Sequence, residues 1–190
     1  MAAVNVALGR WIGATTLGWI LGVPLIAGLA LIGEAMGIGG VQVLVGAGMG
    51  LGVGLLQGRL VRQLGISWGG WLLSCVVGLA VPFLAWDVAR KLGHDPPYAL
   101  YICVISGGLI AGIWQARLLR PRFANAASWV VASLAGWALA AASAGASDYL
   151  TRSRSVRGLA GALLYLGVVA VGGPLLGWVT GLGLRRLRER

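Results

Sequence analysis

Two glutamines stand inside otherwise apolar stretches, Gln57 and Gln115, each three residues after a glycine and two before an arginine. An amide at that depth can bond a neighbouring helix, for about 0.6 to 2 kcal/mol, or it can meet a partner, a ligand or a pigment. Trp114, beside the second glutamine, offers an aromatic plane to a packed neighbour or to an aromatic cofactor. A catalytic set is harder to assemble. Cys103 and Ser106 lie in an apolar run without a base, no acid falls near the middle of such a run, and His94 sits in a polar loop with Asp95, Pro96 and Pro97. Catalysis needs nucleophile, base or metal within reach of one another, so no enzyme is expected and no catalytic or metal-ligating residue is named. Cys75 and Cys103 occupy separate apolar runs without CxxC spacing, which points to buried free thiols rather than a disulfide or a zinc site. No histidine is placed to hold haem or chlorophyll, although a glutamine can weakly replace it for chlorophyll. No cofactor is assigned; a bound lipid or pigment is the option left open.

The elements that must position these residues are membrane spans. The chain has 190 residues, 58% of them hydrophobic and 11% charged, and water could not cover that much apolar surface. A helix crossing the roughly 30 Å hydrocarbon core needs about 20 mostly apolar residues. Six stretches qualify, at 11–32, 40–60, 67–88, 98–119, 126–146 and 158–184, with ends good to about two to four residues. The fold class is therefore an all-α membrane protein, a single domain over residues 1–190. The first run is longer than the roughly 7 to 15 residues of a signal-peptide core and is read as an uncleaved span. Pro174 is expected to kink the last helix.

A net charge of +10 does not imply a nucleic-acid partner here, because the arginines cluster in short loops between apolar runs. Arg10, Arg59, Arg62, Arg117, Arg120, Arg122, Arg185, Arg186, Arg188 and Arg190 fall on one side; Arg90, Lys91, Arg152, Arg154 and Arg157 fall on the other. Cytoplasmic loops are enriched in Lys and Arg, so both termini are expected in the cytoplasm of a bacterium, with the chain in its inner membrane. Arg59, Arg62, Arg117, Arg120 and Arg122 are candidates for anionic lipid headgroups. On the opposite side Asp87 with Lys91, and Asp148 with Arg152, have the four-residue spacing of surface ion pairs. The tryptophans near helix ends, among them Trp11, Trp68, Trp71, Trp86 and Trp129, read as an interfacial aromatic belt, while Trp19, Trp114 and Trp137 lie deeper.

Shifted by 58 positions, the second and third spans overlay the fourth and fifth. Gly50, Gly54, Gln57, Arg59, Leu60, Arg62, Trp71 and Gly78 meet Gly108, Gly112, Gln115, Arg117, Leu118, Arg120, Trp129 and Gly136. Trp11, Gly18 and Trp19 repeat Trp129, Gly136 and Trp137. Gly177, Gly181 and Arg186 repeat Gly108, Gly112 and Arg117, with Leu184 where glutamine stood. Three tandem helical hairpins result, at about 10–62, 67–120 and 126–188. The pattern G-x3-G-x2-Q-x-R-L-x-R followed by W-x6-G resembles that of small polytopic bacterial membrane proteins, mostly uncharacterised. The resemblance implies a fold and a bacterial membrane and carries over no catalytic residue. Glycines spaced by four, including Gly50 with Gly54, Gly108 with Gly112 and Gly177 with Gly181, give flat faces for close helix packing. With packing motifs abundant and chemistry scarce, the expected function is a structural or accessory subunit of a larger respiratory or photosynthetic membrane complex, in contact with lipids and other subunits. A small-solute channel or transporter is the alternative.

Overall fold

A computed structural model describes residues 6–153 and 158–190, with the side chains of residues 148 and 151–153 also outside the description. The described chain forms six helices: α1 (Leu8–Ala35), α2 (Val43–Arg62), α3 (Trp68–Lys91), α4 (Ala99–Leu119), α5 (Ser128–Ser153) and α6 (Gly158–Arg185). All six are long and apolar enough to cross a membrane, and the chain is a multi-pass helical membrane protein. In lipid the backbone must satisfy its own hydrogen bonds, and a helix does so within one segment. Even so, the polar turns stop the helices cleanly. Gly37, Gly65 and Gly93 take positive φ values of 74°, 68° and 83° just after α1, α2 and α3, where a side chain would be strained. Ser67 caps α3 by accepting from the Gly70 amide at 3.1 Å.

The expected spans coincide with the helices, with one sizeable difference. α5 continues to Ser153 rather than ending near 146, because hydropathy marks where the apolar stretch ends, while a helix rich in alanine and serine continues past it. Proline occurs inside three helices, at Pro24, Pro82 and Pro174.

Each helix packs on its neighbours in sequence and α6 returns to α1, closing a ring. Glycine sets how near the helices approach. A Cβ on Gly50 would lie 2.5 Å from the Cys75 carbonyl oxygen, and one on Gly46 would lie 2.6 Å from that of Leu79, so one ridge of α2 rests directly on α3 backbone. The other face of α2 does the same on α1, where a Cβ on Gly52 would run into the Gly18 carbonyl and one on Gly18 would lie 2.7 Å from the Gly52 oxygen. Gly54 meets Cys75 and Leu72; Gly108 and Gly112 receive Trp137 and Ser133 of α5; Gly177 and Gly181 receive Ile12 and Leu8 of α1. All six of the glycines singled out for packing are thus occupied by the chain's own helices, which leaves none of these ridges free for a partner.

Two polar devices fasten the ends. Asp87, near the end of α3, accepts from the backbone amides of Gln42 and Val43 through its two carboxylate oxygens, both at 2.8 Å. It is only 8% exposed. The expected surface pair with Lys91 is therefore corrected. The carboxylate serves the start of α2, whose amides lack intrahelical partners and whose dipole favours a negative charge. The other expected pair, Asp148 with Arg152, lies outside the described side chains. At the end that carries the termini, the α4–α5 loop clasps the C-terminal tail. Asn125 donates to the Arg186 carbonyl at 2.7 Å and accepts from the Arg188 amide at 2.9 Å, and backbone bonds join Ala124 to Arg188 and Arg190 to Arg122.

Candidate functional site

Three indoles meet in the middle of the ring at the end that carries the termini. Trp11 of α1, Trp71 of α3 and Trp129 of α5 are 0%, 0% and 1% exposed, with ring centroids 5.4 to 6.2 Å apart. Their geometry is edge-to-face or tilted, as aromatic quadrupoles prefer. These three are not part of an interfacial belt, and the sequence expectation is corrected on that point. Trp68, at the start of α3, is by contrast 38% exposed. A tryptophan near a helix end looks alike in sequence whether it faces lipid or the bundle axis.

A buried indole must place its N–H, and the glutamines receive it. Trp71 donates to Gln57 Oε1 at 3.2 Å and Trp129 donates to Gln115 Oε1 at 2.8 Å. Each glutamine then donates to the preceding odd helix, Gln57 to Thr15 Oγ1 at 3.0 Å and Gln115 to Cys75 Sγ at 3.2 Å. One amide therefore ties three helices, α1–α2–α3 in the first case and α3–α4–α5 in the second. Both glutamines are 3% exposed and both use their oxygen and nitrogen inside the chain. Trp114 is only half-buried and stands apart from these rings.

The third station is built differently. Leu184, 1% exposed, packs in the same core, and Trp11 donates instead to Thr180 Oγ1, one turn earlier, at 2.9 Å. The Thr180 hydroxyl itself donates to the Leu176 carbonyl, so it joins α6 to α1 and reaches no third helix. Ser133, which stands four residues after Trp129 as Thr15 and Cys75 stand after Trp11 and Trp71, donates to the Gly108 carbonyl at 2.8 Å. A second layer follows one level deeper, eight residues on, with Trp19, Leu79 and Trp137 buried together. Trp19 lies 6.1 Å from Trp137 and donates to the Val169 carbonyl at 2.9 Å.

No family model, curated protein or solved structure matches the chain. Every buried side-chain nitrogen and oxygen among the described residues has a hydrogen-bond partner, and among them no group of three histidine, cysteine or acidic side chains converges.

The arginines present the polar surface at the same end. Arg59 and Arg62 line a cleft of about 400 Å³ with Gln63 and Trp68, and Arg122 lines one of about 510 Å³ with Gln63, Leu64, Phe123, Glu189 and Arg190. Gln63 belongs to both, so three of the five headgroup candidates come together at the corner between α2 and α3. Arg117 and Arg120 are exposed elsewhere on the same end. The Arg122 guanidinium lies directly over Gly65, the turn glycine after α2.

Sequence reasoning missed Thr15, Cys75 and Ser133 as a set, although their common distance of four from a repeated tryptophan is readable. It also missed Thr180 and Asn125, whose partners are distant in the chain and leave no local signal, and it gave Asp87 the wrong partner.

Proposed function

We propose that the chain is a structural or accessory subunit of a larger bacterial membrane complex, respiratory or photosynthetic. Both termini lie in the cytoplasm, and the fold consists of three tandem hairpins. The observation that carries the reading is how unevenly the helices are covered. Half of the most apolar stretch of α2 is buried, against 22% of that of α1 and of α6. Leu17, Leu31, Ile32, Leu159, Leu163 and Leu166 are 58% to 77% exposed, and Gly13, Gly28 and Gly167 have nothing within 4 Å of a built Cβ. Small residues with open space beside them let a neighbouring helix approach closely in lipid. The polar side chains inside the ring, by contrast, are engaged with one another, which favours a scaffold over an enzyme. The arginine clefts suit anionic headgroups, where each cation near the surface contributes about 1 kcal/mol. A small-solute channel would need a polar path, and at the arginine-rich end three indoles fill the centre of the ring instead.

Native purification from membranes in mild detergent, followed by mass spectrometry, tests this. A companion in fixed stoichiometry is expected, and Gly28→Phe should release it while leaving the thermal stability of the isolated chain unchanged. A protein that runs alone as a monomer from its native membrane defeats the reading.

A further inference from the structure

The end opposite the arginine clefts holds a hollow of about 680 Å³ lined by Trp86 of α3, Asp95 of the α3–α4 loop, Tyr98 and Tyr101 at the start of α4, and Tyr149 of α5. An aromatic belt places such residues singly around a perimeter; here four aromatic residues from three helices line one space. We propose that this hollow binds an alkylated ammonium group such as trimethylammonium.

Three features of the chain place Tyr98, Tyr101 and Trp86 at the hollow. Tyr98 adopts a left-handed backbone, φ 61° and ψ 23°, the one non-glycine residue with positive φ among those described. That conformation is costly for a bulky side chain, and such outliers gather at binding sites. The strain follows Pro96 and Pro97 and leaves the Tyr98 ring 76% exposed beside Tyr101, centroids 6.2 Å apart. Tyr101 in turn lies on Gly145 of α5 so closely that any Cβ there would enter its phenol ring. Asp95 supplies the charge. Its Oδ1 accepts from Trp86 Nε1 at 2.9 Å, which fixes the carboxylate beside the indole, and Oδ2 has no protein partner among the described residues.

The chemistry selects the ligand. Aromatic faces attract cations, and cages of them are the usual receptors for quaternary ammonium. Arg90 Cζ lies 6.0 Å from the Trp86 ring centroid, so an incoming cation shares that indole with the chain's own guanidinium. A small metal ion would find one carboxylate and mostly carbon walls, too few oxygens to replace its water. An alkylated ammonium spreads its charge over methyl groups that also pack on rings. The cation can be free, as in choline, or carried on a phosphocholine lipid, since the hollow lies at the end of three membrane-crossing helices.

Isothermal titration of the full chain in maltoside micelles tests the proposal, with choline, its uncharged isostere 3,3-dimethylbutan-1-ol, and the short-chain lipids dihexanoyl phosphatidylcholine and dihexanoyl phosphatidylglycerol. Choline or the phosphocholine lipid should bind at least about tenfold more tightly than its uncharged or anionic counterpart, the margin one cation–π and charge contact supplies. Binding of choline alone marks a soluble ligand, and binding of only the phosphocholine lipid marks a headgroup. Asp95→Asn and Tyr98→Leu should each weaken binding about tenfold, and Tyr98→Phe should retain it; thermal unfolding of each variant confirms that it is folded. Equal binding of choline and the isostere, binding unaffected by Asp95→Asn, or no binding of either ammonium compound overturns the proposal.

Discussion

At the end of the bundle that carries both termini, three indoles close the centre of the ring and each donates a hydrogen bond to a side chain of a neighbouring helix. At the opposite end aromatic residues from three helices line an open hollow, and the fastening is done by one carboxylate reaching from α3 to the start of α2. The difference teaches how an apolar chain divides its few polar groups. Those facing the axis in lipid must be paired or they cost several kcal/mol each, and such groups are tied up as structure. Those near the aqueous boundary can be left with unsatisfied capacity, which makes them available to bind.

The comparison is broken most severely by removing an indole. Trp71→Ala deletes a fully buried ring that touches both other tryptophans and should destabilise the protein by about 3 to 5 kcal/mol, measured by chemical unfolding in micelles. The corresponding loss on the opposite end, Trp86→Ala, should be much smaller because that ring is half-buried. Next comes Asp87→Asn, which removes the charge and one of two acceptors at the start of α2. About 1 kcal/mol of stability should be lost, and hydrogen exchange at the first amides of α2 should rise while that around Trp11 does not. A further pair of substitutions sharpens the contrast among the three stations. Thr180→Val orphans the Trp11 N–H and should cost about 1 to 2 kcal/mol. Adding Leu184→Gln restores an acceptor at the position the other even helices use, so the double variant should recover part of that loss, although Leu184→Gln alone should destabilise. A double variant no better than the sum of its parts shows that the third station cannot adopt the glutamine arrangement.

Much of this was legible in the sequence. Hydropathy alone located six spans, since a run of about 20 apolar residues has few other uses, and the spacing of glycines located the close approaches. The direction each side chain faces was not legible. These helices are apolar on all sides, so no amphipathic stripe tells the axis from the lipid, and Trp11, Trp71 and Trp129 read as a belt for that reason. Gln57 and Gln115 stood out, but their partners did not: Thr15 and Cys75 are 42 and 40 residues away. Asp87 misled in the same manner, because Lys91 at i+4 is a visible local partner, whereas the amides it serves lie 44 and 45 residues back. The bare backbone N–H groups at a helix start outcompete a solvated lysine. In the hollow, Asp95 and Tyr98 are neighbours in sequence but Tyr149 is not, and only the packing of α5 on α4 joins them.

The central claim is that the buried glutamines are ties between helices and not contacts for a ligand or solute. Chemical unfolding of Gln57→Leu in micelles tests it most directly. The substitution leaves the Trp71 N–H without its acceptor and Thr15 without its donor, and stability should fall by about 1 to 3 kcal/mol. Gln57→Leu with unchanged or increased stability, purified with its native companions and lipids intact, contradicts the account.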